Sequence, residues 1–397
     1  MKESKKRICA EVDTLAQELK DVNDYLFDNP EIGFKEHKAC ARLSTFLQAH
    51  GFSVKECAGG LDTALFARPQ GIEPTRPAVA FISEYDALPE VGHGCGHNLI
   101  AAASLGAAVA LSKAVPDLAG GIALVGTPAE EGGGGKVHLS RAGVFDDMDI
   151  AIMFHPGAQN LPGSDMLGGT KMKIEFFGKT SHASVAPDKG INALDALVMA
   201  YNAINSVRQH MLPTGRLHGI ITNGGEASNI IPGYTSAIFV ARATNLSYLE
   251  ELVKRVENCV NGAALATGAK AKIEIVYSWD HFKHNYPLEE VVAENMKALG
   301  LEIDENDGRM GSSDISYLSF QLPCLHPFLT LDKDAVGHTV AFAEATRSPQ
   351  GRKVLLDAAK MMAMIGYDYL TSENLRKQVV EDFNAHDLTS SFSGFNT

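Results

Sequence analysis

Three short, predominantly apolar runs set most of what this chain can become. Ala78-Val79-Ala80-Phe81-Ile82-Ser83, Gly121-Ile122-Ala123-Leu124-Val125-Gly126 and Met148-Asp149-Ile150-Ala151-Ile152-Met153-Phe154 lack the polar and apolar alternation of a half-exposed strand. They read as strands buried on both faces. Residues 99–111, between the first two, are Ala- and Gly-rich; the stretch falls short of the roughly 20 residues a membrane span needs and reads as a buried helix. Strands alternating with helices predict an α/β fold with a central mixed, largely parallel sheet. Upstream, Ile8, Val12, Leu15, Leu19, Val22 and Leu26 recur three or four apart, which predicts one amphipathic helix broken at Asp28-Asn29-Pro30. Residues 39–50 predict a second, closed by Gly51.

The texture changes near Gly168-Gly169. Strand-like runs at 171–177, 220–223, 234–243 and 271–277 surround helical stretches at 192–210 and 246–266, the pattern of an α+β unit. Helix returns at 288–299, followed by an irregular Gly/Ser/Asp segment, an apolar piece at 322–331 and one final helix from Thr339. The 397 residues are therefore expected to form two domains, 1–168 with 285–397, and an inserted 169–284.

Composition narrows the partners. Thirty-five Lys and Arg against 48 Asp and Glu leave a net charge of −13, which repels phosphate backbones and anionic lipid surfaces, so neither nucleic acid nor membrane is expected. The basic opening, Lys2 to Arg7, runs into Ile8-Cys9-Ala10-Glu11-Val12-Asp13 rather than an unbroken apolar stretch, so no export signal is expected. Six scattered cysteines predict reduced thiols in the cytoplasm.

The densest polar constellation is His93-Gly94-Cys95-Gly96-His97-Asn98, after a buried strand and before the Ala-rich helix. Glycines beside Cys95 allow a sharp bend, and a thiolate near an imidazole suits zinc, or less selectively manganese and cobalt. A loop cysteine beside a solvated histidine is the plain alternative. Gly126-Thr127-Pro128-Ala129-Glu130-Glu131 brings two carboxylates to a strand end, where open α/β sheets carry their sites; a solvated acidic turn is the competing reading. Met153-Phe154-His155-Pro156 and Val336-Gly337-His338-Thr339 add two imidazoles. Each signal is ordinary alone, but together they point to metal. Gly132-Gly133-Gly134-Gly135-Lys136 fails as a phosphate loop, because Glu130 stands at the first Gly position and Val137 where Ser or Thr belongs. It reads as a flexible connector. A thiol-protease reading of Cys95 leaves Glu130, Glu131, His155 and His338 without a role.

Together with Glu84-Tyr85-Asp86-Ala87-Leu88-Pro89, these segments resemble the aminoacylase/carboxypeptidase metallohydrolases of peptidase family M20. Within it they are similar to the amidohydrolase branch of p-aminobenzoyl-glutamate hydrolase, indole-acetyl-amino-acid hydrolases and β-alanyl-lysine dipeptidase. The resemblance implies two divalent metal ions, zinc or manganese with cobalt as a further option, held by Cys95, His97, Glu131, His155 and His338. It implies Glu130 as general base. The inserted domain would be a lid and homodimerisation domain, in which His182 of Thr180-Ser181-His182-Ala183 stabilises the oxyanion. Asn229, of Asn229-Ile230-Ile231-Pro232, and Arg242 would hold a substrate carboxylate, and Ser312 and Ser313 would belong to a substrate-side loop.

On the residues alone, His182 reads equally as a turn histidine and Arg242 as a surface strand residue. Asp86 either orients a ligand or caps a turn. Asn98 and Ser313 stand where many relatives carry Asp and Glu, which leans toward the p-aminobenzoyl-glutamate and β-alanyl-lysine side of the branch. The implied function is metal-dependent hydrolysis of the amide between an acyl or aroyl group and an amino acid, in a small N-acyl amino acid, aminobenzoyl-glutamate-like or dipeptide substrate. A peptidase or deacetylase of the same fold, or a non-catalytic binding protein, is the alternative.

Overall fold

All three apolar runs contain strands, and the chain around them sorts into two units. The computed structural model describes residues 1–334 and 336–385. The first unit joins Met1–Ser164 to Lys283–Arg309 and the described residues from Ser313 onward; the second joins Asp165–Phe282 to Met310–Ser312.

The first unit opens with α1 (Glu3–Thr14), α2 (Ala16–Asp28) and α3 (His37–Ala49), then β1 (Phe52–Glu56), β2 (Leu65–Pro69) and β3 (Val79–Glu84). It continues through α4 (His97–Ala114), β4 (Ile122–Thr127), α5 (Gly135–Arg141), β5 (Ile150–Ile152) and β6 (His155–Gly157). The second unit contains β7 (Gly168–Phe177), α6 (Ala193–Val207), β8 (Arg216–Asn223), β9 (Tyr234–Ala243), α7 (Leu246–Thr267) and β10 (Lys270–Trp279). Returning to the first, the chain forms α8 (Tyr286–Ala298), α9 (Ile315–Leu318), β11 (Cys324–Leu325), β12 (Phe328–Thr330), α10 (Val340–Ala345), α11 (Pro349–Thr371) and α12 (Glu373–Ala385).

The main sheet of the first unit runs β1-β2-β4-β3-β5-β11. Strands β4, β3, β5 and β11 pair in parallel, whereas β1 with β2 and β2 with β4 are antiparallel, so the sheet is mixed. Every residue of β3 and β4 is buried, which explains runs without alternation. Helix α4 is buried along almost its whole length. Its alanines, and Gly106, whose missing Cβ would lie 2.7 Å from Leu19 Cδ1 and 3.1 Å from Ala359 Cβ, let α2 and α11 pack closely against it.

In the second unit, β10-β7-β9-β8 form an antiparallel sheet. Met172, Ile174, Phe176, Ala237, Phe239 and Ala241 alternate along β7 and β9 to face Leu197 and Ile204 of α6 and Leu252 and Val256 of α7. Asn192 and Asn245 cap those helices through their side-chain oxygens.

Three local expectations change. The predicted first helix is two, because Leu15 leaves the helix and α2 restarts at Ala16. The predicted last helix is three, since Ser348 caps α11 with Pro349 in its first turn and Ser372 ends it. The glycine run is no flexible connector. Gly134, at φ +66°, caps α5, and Gly135 packs so tightly on the Pro128 carbonyl that no side chain fits.

Candidate metal centre

The first unit gathers its polar groups at the C-terminal ends of β3 and β4 and at the adjoining loops. Gly96, at φ +81°, starts α4 immediately after Cys95; a Cβ there would lie 2.5 Å from Pro156 Cγ. At Gly94 a Cβ would lie 2.5 Å from Val91 Cγ1 and 3.3 Å from the Thr339 carbonyl oxygen. Both glycines thus let the His155 and His338 segments come up against Cys95. Ala129 and His338 take φ +57° and +65°, a left-handed conformation costing a residue with a Cβ on the order of 1–2 kcal/mol. The turn after β4 is held in this shape by Glu36, whose Oε1 accepts the Ala129 N–H at 2.8 Å.

Hydrogen bonds assign the imidazoles. His97 Nδ1 lies 3.0 Å from both the Asp86 carbonyl and Asp86 Oδ1, and those oxygens only accept, so Nδ1 carries the proton. Its Nε2 is buried and makes no hydrogen bond, and against the pull of burial Asp86 and Cys95 hold the ring's pKa well above the usual imidazole value, so without a cation it keeps a proton that a bound metal would displace. His155 is set the same way, with Nδ1 donating to the Pro156 carbonyl at 2.8 Å and Nε2 lying 3.5 Å from Cys95 Sγ. Burial and neighbouring His97 push the His155 pKa down to about 4, keeping the ring neutral as a ligand must be. Asp86 Oδ2 accepts the Glu131 N–H at 2.9 Å, and His338 Nε2 lies 3.3 Å from Glu131 Oε1. One buried carboxylate therefore braces two of the groups.

Ligand atoms of Cys95, His97 and His155 lie within 4.8 Å of one another, as do those of Cys95, Glu131 and His338, and of His97, Glu130 and Glu131. The buried His97 Nε2, which has no hydrogen-bond partner, needs one. A thiolate, imidazoles and a carboxylate suit borderline divalent cations, so the donors fit a metal. Burial pushes the Cys95 thiol up when no cation compensates its charge.

Glu130 faces this cluster, its Oε2 3.9 Å from His97 Nε2. Burial, then the charges of Glu84 and Asp314, push its pKa well above the usual carboxylate range, while His97 and Lys136 oppose them. Sequence reasoning missed Lys136. It is fully buried, ion-paired with Glu84 and, at 2.5 Å, with Asp314, whose Oδ2 also accepts the Lys136 N–H at 2.9 Å. Within a glycine run nothing in the local pattern announces a buried ammonium; Glu84 and Asp314, arriving from distant segments, create the need for it.

The second unit holds the remaining expected residues except Ser313. His182 is exposed, and its Nδ1 accepts the N–H groups of Ser184 and Val185, both at 3.2 Å. Nε2 therefore bears the proton and is a donor toward solvent. The backbone of Asn229 adjoins it through the Ala183 N–H, 3.0 Å from the Asn229 carbonyl. Arg242 Nη1 donates to Ser312 Oγ at 3.5 Å. Ser313 belongs to the first unit, where its Oγ accepts the Ile315 N–H at 3.4 Å. Among the described residues no helix is long and apolar enough to cross a membrane.

Comparisons with known proteins agree with this chemistry. The family profile of the peptidase dimerisation domain matches residues 167–267. The chain is 37% identical to the Xaa-Arg dipeptidase of Mus musculus over 96% of its own length and 92% of the relative's. It is 30% identical to a chain of the Escherichia coli p-aminobenzoyl-glutamate hydrolase, over 72% of this chain and 63% of that one. In fold it is similar to the Bacillus subtilis YXEP protein, described as a dinuclear metal-binding peptidase of the M20 family, with a TM-score of 0.69 and 18% identity over 89% of this chain and 98% of that one. The donor cluster, the mixed sheet and a full-length relative lead to one conclusion: the chain belongs to the M20 family and is a metal-dependent hydrolase of amide bonds.

Proposed function

We propose that this enzyme is a dipeptidase for small substrates whose C-terminal amino acid is basic, such as alanyl-arginine or β-alanyl-lysine. The observation that carries the reading is the convergence of Cys95, His97, Glu131, His155 and His338, running from buried His97 to exposed His338, with the Glu130 carboxyl beside them. Choice of substrate is supported by the similarity to the mouse Xaa-Arg dipeptidase and by a net charge of −13, which draws cationic substrates and repels anionic ones.

Two divalent ions, zinc or manganese, would be held by the five ligands; when bound they would polarise the amide carbonyl and acidify water. Glu130 takes the proton of the attacking water and passes it to the leaving nitrogen. His182 offers its Nε2–H to the developing oxyanion, and Arg242, with Asn229, Ser312 and Ser313 nearby in role, takes the substrate carboxylate. Asp86 keeps His97 in the ligating tautomer. The second unit serves as a homodimerisation domain, a role supported by the profile match. Six free thiols accord with a cytoplasmic protein.

The test is a panel of alanyl-arginine, β-alanyl-lysine, p-aminobenzoyl-glutamate and N-acetyl amino acids, assayed with zinc, manganese and cobalt and with chelator. Chelator-sensitive cleavage preferring the basic dipeptides is expected. Preference for p-aminobenzoyl-glutamate, which the E. coli similarity favours as a second reading, would overturn the substrate assignment.

A further inference from the structure

Among the described residues Arg242 is a half-buried cation without an acid. Its Nε is buried with no hydrogen-bond partner, and among the described residues its polar contact is the one from Nη1 to Ser312. Its second support is aromatic, because the guanidinium carbon lies 5.5 Å from the ring centroid of Trp279, the chain's only tryptophan. Both supports are tied to one atom. The Leu167 carbonyl accepts the Trp279 Nε1–H at 3.0 Å and the Ser312 hydroxyl at 2.7 Å, while the Leu167 N–H donates to the Gly311 carbonyl at 2.8 Å. Register puts the three in a row across the sheet. Trp279 on β10 pairs with Gly169 on β7, which pairs with Arg242 on β9. A Cβ at Gly169 would run into the indole ring, so the glycine leaves room for the ring to reach across toward Arg242.

We infer that Trp279 is the positioning residue of the carboxylate clamp. The stacked ring and Ser312 hold the guanidinium in one plane with Nη1 engaged, leaving its remaining N–H groups to take a carboxylate. This rests on the proposal that Arg242 takes the substrate's carboxylate. It adds that orientation comes from the indole, and that its fluorescence reports occupancy.

The experiment compares metal-loaded, full-length wild type with R242Q, W279F, W279A and W279A/R242Q, using alanyl-arginine for kinetics and glutarate as a carboxylate probe. W279A raises KM about tenfold with kcat changed by less than about twofold. W279F, which keeps an aromatic face, recovers most of the loss, and the double variant matches R242Q. Glutarate shifts tryptophan emission in the wild type but not in R242Q. If R242Q leaves KM unchanged, the carboxylate reading fails and the inference with it. If R242Q raises KM while W279A and W279F both match the wild type, or if the two substitutions are additive, only the inference fails. A wild type whose emission ignores saturating glutarate while R242Q still raises KM overturns the reporter role.

Discussion

Asp86→Asn isolates how much the metal centre depends on one carboxylate behind its ligands. Asp86 Oδ1 accepts from His97 Nδ1 and Oδ2 accepts from the Glu131 backbone N–H, each at about 3 Å and both out of solvent. Asparagine has the same shape but a single acceptor oxygen. If that oxygen stays with Glu131, the new NH2 faces His97 Nδ1–H and favours the opposite tautomer, in which Nε2 is protonated and has no lone pair. If the oxygen stays with His97, the NH2 confronts the Glu131 N–H, leaving two buried donors opposed at a cost of about 1–3 kcal/mol. Either arrangement perturbs a ligand, and losses of this kind weaken metal binding roughly 10- to 100-fold, about 1.4–2.7 kcal/mol. Competition with a chelator, read by elemental analysis of the dialysed protein, measures the change. A dissociation constant within about twofold of wild type would refute the bracing argument.

Glu130→Gln keeps the metal content of the wild type and lowers kcat by a factor on the order of 10²–10⁴, the usual range for a general base, as measured by steady-state hydrolysis of alanyl-arginine. Lys136→Met leaves Glu84 and Asp314 buried without their shared ammonium; thermal unfolding should show a loss of about 3–5 kcal/mol, and an unchanged midpoint would refute the neutralising role. Burial, then His97, pushes His93 down to about 4 from an unfolded value of 6.5. Its folded form binds fewer protons, so its contribution is fully present above pH 6.5 and is lost as pH falls toward 4, by up to about 3 kcal/mol. Urea unfolding of chelated protein across that window should show the slope, and His93→Gln should flatten it.

Each proposed ligand stands at an element end that could be read locally. Cys95 and His97 announced themselves through flanking glycines before an Ala-rich helix, and Glu130 and Glu131 through their place after an unbroken apolar run. Hairpin-like β1 and β2 escaped notice, because β1 carries exposed Ser53, Lys55 and Glu56 around only two apolar residues. Helix ends blurred where caps rather than periodicity decided them, as at Leu15 and Ser348.

What the amino-acid sequence determined by itself was class and chemistry: buried strands, because apolar runs need cover on both faces, and a candidate donor set for a metal, because those residue types share one affinity. Tertiary structure alone decided protonation, pairing and support. Which nitrogen of His97 is free depends on Asp86, eleven residues away; Lys136 is neutralised by Asp314, 178 residues away; and Arg242 is framed by Trp279 across two strands. Such pairings follow from desolvation, since burying a charge makes a partner obligatory without specifying where along the chain it must come from.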